Sequence, residues 1–285
     1  MKIGIMSSAL GKMDLKQLAE KTGSYGFRTI HLNLKSIADI DTGAGKLSTG
    51  LANHIAEEFA RHGVRIPALG GYTNLIHPDE EIRRTGIRRF KEQLRFARDF
   101  GASAVATETG TLNAENQYES HPDNQSEACW QQLRSVVAEL AEEAERWGVF
   151  VALEGFTKNV VSTPERMERL LEEIGSSHLG IVMDPCNYID ETNMDRQEEV
   201  MDDAFRRLGD RILLAHAKDF RIEDGRMIQP AAGTGLLNYP HYLRLLTAAK
   251  PHVHLFLEHL APERIFASLG HVTNHMAGVL QEEAR

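Results

Sequence analysis

The sequence predicts an α/β protein, a single-domain (β/α)8 barrel of the TIM type spanning residues 1–285. Short β-type runs alternate about eight times with longer amphipathic, charge-rich stretches along the 285 residues. Several runs are almost continuously apolar, as strands buried on both faces of a parallel sheet are. Each repeat is about 36 residues long, which is the length of one strand-helix unit. Barrels of about 250 residues form one domain. The alternative is a doubly wound open sheet, which the number of runs and the lack of a glycine-rich loop after the first run disfavour.

The predicted strands follow one another at the spacing of such repeats. They are KIGIMS (2–7), RTIHLNL (28–34), RIPALG (65–70), SAVATET (103–109), VFVALEG (149–155), LGIVMDP (179–185), RILLAHAK (211–218) and HVHLFLEH (252–259).

Helix start and stop signals lie between the strands. Asp14 is expected to cap a helix that Gly23 ends, and the segment 77–80 opens a long arginine-rich helix ending before Gly101. The pair Thr163-Pro164 and the segment 238–240 are predicted helix starts, each with a capping side chain and an early proline. The irregular stretches 35–46, 110–125, 186–196 and 219–238 all follow strands, where a barrel keeps its functional loops.

Composition restricts the class of partner. Hydrophobic residues make up 42% and charged residues 26% of the chain, which is ordinary for a globular protein. The net charge of −9 disfavours a nucleic-acid partner, because phosphate binding needs a basic surface. The basic residues between Arg83 and Arg98 are interpreted as a solvated helix face, with a functional patch as the alternative.

Nothing in the sequence predicts a disulfide framework, a membrane span or an export signal. The two cysteines, Cys129 and Cys186, fall on a predicted helix and a strand-to-helix loop, without zinc-binding spacing. The first apolar stretch is too short for a signal peptide, and no apolar run reaches 18 residues. The expected compartment is therefore the cytoplasm.

Four polar residues lie at or near the carboxyl ends of four consecutive predicted strands: Glu154, Asp184, His216 and Glu258. Singly, each carboxylate is explained as a cap or an ion-pair partner, and the histidine as a core residue. Together they are harder to explain, since a barrel gathers its strand ends into one mouth and an unpartnered buried carboxylate is costly. Three oxygen donors and one nitrogen donor suit one divalent cation, Mn²⁺, Co²⁺, Mg²⁺ or Zn²⁺.

Five segments carry a resemblance to a known family: ALEG (152–155), MDPCN (183–187), HAKDF (216–220), AAGTGLLNYP (231–240) and FLEH (256–259). Over its whole length the chain resembles the xylose isomerase-like barrel superfamily, in particular its sugar isomerase and epimerase branch. The resemblance implies that Glu154, Asp184, His216 and Glu258 bind one metal ion. It also implies a small sugar or polyol-derived substrate, and an oligomer is common in the branch.

The chemistry expected of this branch is proton removal from the carbon beside a carbonyl. The resulting enediolate needs positive charge near its oxygens, and a second acid returns the proton. Glu154 and Glu258 come from strands five and eight and approach the centre from different sides. They are the predicted acid and base.

Other residues are predicted to contact the substrate. Asn187, at a position where epimerases of the branch often carry histidine, is expected to bind a substrate hydroxyl. Lys218, followed by Asp219, resembles a substrate-contacting element of related enzymes, with a surface Lys–Asp pair as the alternative. Arg221 is a candidate for a substrate oxygen or phosphate.

Weaker candidates come from the earlier strands and the later loops. Glu108 is expected at the mouth as a substrate contact or a support, and Tyr72 as an apolar wall. His31 and Asn33 are less strongly indicated. The pair Gly233 and Gly235 predicts a tight loop closing over the site, and is weak evidence for phosphate binding.

Three other functions remain open at the level of sequence. A lyase resembling inosose dehydratase would use the same metal and base, with loss of a hydroxyl replacing reprotonation. An enzyme resembling endonuclease IV shares the barrel, but it needs three zinc ions and further histidine ligands. A metal-binding protein without turnover is the third.

Overall fold

The computed structural model describes residues 1–283 and contains a closed barrel of eight parallel strands, as predicted. Each barrel strand pairs with its neighbours in chain order, and the first strand closes the ring against the last. The barrel strands are β1 (Lys2–Met6), β2 (Thr29–Leu32), β3 (Arg65–Gly70), β4 (Ala104–Glu108), β5 (Phe150–Glu154), β6 (Leu179–Met183), β7 (Ile212–Ala217) and β8 (His254–Leu257).

Eight α-helices surround the barrel in the described part of the chain, and most successive helices contact one another. They are α1 (Leu15–Ser24), α2 (Thr49–Arg61), α3 (Glu80–Phe96), α4 (Glu127–Trp147), α5 (Pro164–Ile174), α6 (Gln197–Leu208), α7 (Tyr239–Ala249) and α8 (Ile265–Glu283).

The predicted capping residues are largely confirmed. The side chains of Asp79, Thr163 and Asn238 each accept a hydrogen bond from a backbone N–H in the first turn of α3, α5 and α7. Asp14 precedes α1 but makes no capping bond. The backbone N–H of Leu15 donates instead to Asp39 Oδ1, 2.9 Å away.

Gly23 does not end α1, which runs one residue further. A Cβ atom at this position would lie 2.8 Å from the carbonyl oxygen of His62, at the end of α2. The glycine is therefore required for close packing of α1 against α2, and the sequence signal for termination was wrong.

The barrel interior is lined mainly by small side chains. The largest fully buried side chain of this cluster is Phe256, and the other buried members are Met6, Ala68, Ala104, Ala106, Ala152, Val182 and Leu214. A Cβ atom on Gly4 of β1 would lie 2.7 Å from the Phe256 ring. Phe256 thus fills the space that alanines and Gly4 leave, below the strand ends where the polar residues lie.

A β-hairpin lies within the stretch 219–238, which the sequence analysis treated as irregular. Its antiparallel strands are Arg221–Glu223 and Arg226–Ile228. The two turn residues, Asp224 and Gly225, both have positive φ, 50° and 74°. An Asp-Gly pair with positive φ at both positions is typical of a type I′ hairpin turn, so this signal was present in the sequence.

Other sequence expectations concern surfaces and cysteines. Cys129 lies in α4 and Cys186 in the loop after β6, and both are buried and free. No helix within residues 1–283 is long and apolar enough to cross a membrane. On α3, Arg84, Arg88 and Arg95 are exposed, as expected for a solvated face.

Replacing the ring that fills the barrel should be costly. We expect Phe256→Ala to lower the free energy of unfolding by about 3–5 kcal/mol, because the rigid strands cannot collapse around the cavity. Phe266→Ala is the matched control, since that ring is 65% exposed and its ring contact is with Tyr25. Its expected cost is about 1 kcal/mol. Denaturant unfolding measures both, and equal losses would contradict this account of the interior.

Candidate metal centre

Four predicted residues converge at the carboxyl end of the barrel. Glu154 is the last residue of β5 and His216 lies in β7, while Asp184 and Glu258 directly follow β6 and β8. One ligand atom from each residue lies within 4.8 Å of the others, and all four side chains are buried. The barrel therefore joins groups that lie up to 104 positions apart in the sequence (258 − 154).

His216 directs one ring nitrogen at the carboxylates. Its Nδ1 lies 3.3 Å from Glu154 Oε1, 3.4 Å from Glu258 Oε2 and 3.9 Å from Asp184 Oδ2. The opposite nitrogen, Nε2, lies 3.2 Å from Nδ1 of His31. His216 thus presents Nδ1 to the centre and Nε2 to a second histidine.

His31 has a larger part in this geometry than its weak sequence signal indicated. It is fully buried in β2, and burial, together with the neighbouring His216, lowers its pKa to about 3. His31 is therefore neutral, and its Nδ1 is able to accept the Nε2 hydrogen of His216. That bond would select the tautomer of His216 whose Nδ1 lone pair faces the carboxylates, as the outer partners of metal-binding histidines do.

Glu154 accepts hydrogen bonds from two neutral side chains. The Tyr72 hydroxyl donates to Oε2 at 2.8 Å, and the Asn187 amide donates to Oε1 at 2.7 Å. Both residues were predicted as substrate contacts, and Tyr72 as an apolar wall. The structure places both against Glu154, so each orients the carboxylate.

Lys218 and Asp219 are buried, which excludes the surface-pair alternative. The ammonium of Lys218 lies 3.0 Å from Asp184 Oδ2 and 2.8 Å from Glu258 Oε1. Asp219 instead supports the loop that follows. Its carboxylate accepts from the backbone N–H groups of Gly233 and Leu237, at 3.0 and 2.9 Å.

The loop containing Gly233 and Gly235 is tight, as predicted. Gly233 has φ of +84°, and a Cβ on Gly235 would lie 2.3 Å from the Phe220 carbonyl oxygen. Because its contacts are with Asp219 and its neighbours, the loop braces the end of β7.

The charges at the centre strongly perturb one another. Burial alone would lower the pKa of His216, but the charges of Glu258 and Glu154 outweigh it and raise the pKa to about 9. Burial raises the pKa of Asp184 to about 7 against the opposing effect of Lys218. For Glu258, Lys218 and His216 overcome burial and hold the pKa well below its ordinary value. His216 and Lys218 therefore both carry positive charge at neutral pH and offset much of the charge of the three carboxylates.

Glu108 lies beside Glu154 in the ladder between β4 and β5. Burial and the nearby negative charge of Glu154 raise its pKa to about 8. Glu108 is therefore mostly protonated at neutral pH, and can donate a hydrogen bond at the mouth. This agrees with its predicted position at the mouth.

Two other candidates have partners elsewhere. Arg221, in the first strand of the hairpin, bonds to Glu223 and donates to the Thr234 carbonyl oxygen at 3.1 Å. Asn33 accepts the backbone N–H of Lys35 and so caps a short turn after β2. The structure therefore gives both of them local structural contacts.

The donor set fits a divalent cation. Three carboxylates contribute three negative charges and Lys218 one positive charge, which leaves an excess of about two when His216 is neutral. Asp184 Oδ2 and Glu258 Oε1 are buried without a hydrogen bond from the described residues, although Lys218 lies close to both. Oxygen atoms of this kind are available as ligands, alongside Nδ1 of His216.

A cavity of about 710 Å³ lies on the loops that follow the strands. Gln229 and His259 line it. His259 directly follows Glu258, and Gln229 bonds to Asn187, which in turn bonds to Glu154. Its other lining residues are Tyr118, Glu119, Phe156, Thr157, Lys158, Ile189, Asp190, Glu191, Arg226, Met227 and Ile228. The volume is in the range of small-molecule pockets.

Fold and site together define a (β/α)8 barrel with a buried acidic centre suited to one metal ion at its mouth. The family model for the xylose isomerase-like TIM barrel matches residues 19–275. The chain belongs to this family, as the sequence motifs indicated. A search of curated protein sequences finds no match.

Solved structures similar to the chain support the fold. A D-tagatose 3-epimerase-like protein has a TM-score of 0.77 at 19% identity, with 99% of each chain covered. An L-ribulose 3-epimerase has a TM-score of 0.74 at 17% identity, covering all of this chain and 97% of the other. The IolI protein with a bound zinc atom has a TM-score of 0.68 at 19% identity, with 99% of each covered.

The contact between the two histidines yields a prediction for metal affinity. We expect His31→Leu to weaken Mn²⁺ binding by about 10- to 100-fold, because His216 loses the acceptor that selects its tautomer. Calorimetric titration of metal-free protein with Mn²⁺ measures the effect. His254→Leu, which removes a histidine at the other end of β8, is the control. Unchanged affinity in His31→Leu would show that the contact does not orient His216.

Proposed function

We propose that the protein is a metal-dependent sugar isomerase or epimerase that moves a proton next to a carbonyl group. The observation that carries this proposal is the convergence of two buried glutamates, Glu154 and Glu258, on one centre from different strands. A site with two carboxylates has both a base to remove a proton and an acid to return one.

The two glutamates differ in their surroundings. Glu154 is held by two neutral donors, Tyr72 and Asn187, whereas Glu258 is held by the ammonium of Lys218. Hydrogen bonds and a nearby positive charge both favour the ionised carboxylate, so each glutamate is able to accept a proton. The glutamate that begins a turnover protonated returns a proton to the substrate, and the other takes one from it. We assign them as an acid and base pair whose roles exchange with the direction of the reaction.

Glu154, Asp184, His216 and Glu258 would hold the metal ion. When bound, a divalent ion supplies the positive charge that stabilises the enediolate oxygens of the substrate. The bound zinc of the IolI structure is consistent with such a site in this fold. Titration of the metal-free protein with Mn²⁺, Co²⁺, Mg²⁺ and Zn²⁺ would identify the ion that binds most tightly.

The proposed substrate is a small ketose or a polyol-derived ketone. Two of the similar structures are described as an L-ribulose 3-epimerase and a D-tagatose 3-epimerase-like protein, which supports this class. Protonated Glu108 and the ammonium of Lys218 supply hydrogen-bond donors for substrate oxygens. The cavity next to Gln229 supplies the space.

A lyase acting on an inositol-like ketone is the second candidate, and one observation favours it. Lys218 is a buried ammonium 2.8 Å from Glu258, and an ammonium beside the centre is able to hydrogen-bond a departing hydroxyl. A product 18 mass units lighter than the substrate, the mass of one water, would identify β-elimination, whereas epimerisation leaves the mass unchanged in ordinary water.

Proton exchange tests the proposal directly. We expect NMR in D₂O to show deuterium entering beside the carbonyl of a ketose, ketose phosphate or inosose when Mn²⁺ or Co²⁺ is added. A chelator should abolish this exchange. We expect Glu154→Gln and Glu258→Gln each to lower its rate by about 10²- to 10⁴-fold, because each removes one acid-base group.

Metal titration of the two variants is the necessary control, since both residues are also ligands. A variant that still binds Mn²⁺ and retains full exchange would refute the assignment of its glutamate. Absence of exchange across the panel in wild-type protein that binds metal would refute the proposed function for these substrates.

A further inference from the structure

We infer that Gln229 is a positioning residue for Glu154, acting through Asn187. The inference rests on the proposed function, since it concerns the orientation of one of the two proposed acid-base groups. Gln229 directly follows the second strand of the hairpin, and lies in the wall of the mouth cavity.

The side-chain amide of Gln229 reaches two acceptors on the loop after β6. Its Nε2 lies 3.1 Å from the backbone carbonyl oxygen of Cys186 and 3.2 Å from Oδ1 of Asn187. A backbone carbonyl only accepts, so it requires the NH₂ end of Gln229 at this position. The second hydrogen of that NH₂ group then points to Asn187.

The same reasoning extends to Asn187. An asparagine amide has a donor end and an acceptor end, and a rotation of 180° exchanges them. Because Gln229 donates to Oδ1, the NH₂ end of Asn187 must face the other way. There it donates to Glu154 Oε1 at 2.7 Å. A backbone carbonyl thus sets the orientation of a reactive carboxylate through two amides.

Gln229 also contacts the segment that carries the other glutamate. Its backbone carbonyl accepts a hydrogen bond from Nδ1 of His259 at 3.1 Å. His259 directly follows Glu258 and has φ of 52°, an uncommon conformation for a residue other than glycine. Gln229 therefore contacts Asn187, which bonds to Glu154, and His259, which directly follows Glu258.

The hairpin also contacts another residue that lines the mouth cavity, Glu191. The backbone N–H of Met227 donates to Glu191 Oε1 at 2.9 Å, and both residues line the cavity with Gln229. A substrate that occupies the cavity would therefore contact the segment whose last amide orients Asn187. This links substrate binding to the position of Glu154.

The decisive variant is Gln229→Glu, which keeps the shape and replaces the donor by an acceptor. The new oxygen faces Oδ1 of Asn187 and the Cys186 carbonyl, so the Asn187 amide is driven away from its present orientation. We expect the turnover rate of exchange at saturating Mn²⁺ to fall by about 10- to 100-fold relative to the control, because Glu154 loses the donor that orients it. Gln229→Met removes the donor without adding an acceptor, and its turnover rate should fall by a smaller factor.

The control is Gln131→Glu, which makes the same change of charge at an exposed position of α4. Turnover in Gln229→Glu equal to that in Gln131→Glu would overturn the inference. Equal losses in Gln229→Glu and Gln229→Met would also overturn it, because the residue would then act by packing. Turnover that saturating Mn²⁺ restores to the value of the control would also overturn it, because Gln229 would then act only on metal binding.

A second measurement does not depend on activity. In a ¹H–¹⁵N spectrum, the Asn187 side-chain amide is identified by its disappearance in Asn187→Asp, and its hydrogen bond to Glu154 should protect it from exchange with solvent. We expect that protection to be lost in Gln229→Glu and kept in Gln131→Glu. If no substrate undergoes exchange, the proposed function fails, and this spectrum still decides whether Gln229 orients Asn187.

Discussion

Mutual repulsion among Glu154, Asp184 and Glu258 is the constraint on which the rest of the site depends. Three carboxylates buried within 4.8 Å of a common histidine are unstable unless positive charge or hydrogen-bond donors lie next to them. Lys218 and His216 supply the positive charge, and Tyr72 and Asn187 supply donors. A metal ion bound by Nδ1 requires neutral His216, and the three carboxylates then exceed Lys218 by about two negative charges, which is the physical reason for expecting a divalent cation.

The barrel holds the charged groups in place because each of them lies in a strand or directly after one. Phe256 and the buried residues around it pack directly below the centre and support the ends of β5 to β8. Asp219 then fastens the following loop through the backbone of Gly233 and Leu237. The strands and the braced loop thus keep the four side chains of the centre close together in the structure without a metal ion.

The sequence predicted the site best where the same feature, a polar residue at a strand end, recurs from strand to strand. Four polar residues ending four consecutive apolar runs predicted the centre, since parallel strands of a closed barrel end at one mouth. It was less informative about single side chains. Arg221 was a substrate candidate, but it pairs with Glu223 beside it in the hairpin. The Asp-Gly pair at 224–225 is typical of a hairpin turn, and a hairpin brings Arg221 and Glu223 onto one strand beside each other.

By itself the sequence determined the barrel, the order of its strands and the four residues of the centre, because apolar periodicity and strand-end polarity are local properties of the chain. Only the tertiary structure decided their outer partners. His31 meets His216 across 185 positions, and Tyr72 meets Glu154 across 82. Such contacts, and the pKa of Glu108 that rises to about 8 beside Glu154, depend on distances and burial that arise only when the barrel closes.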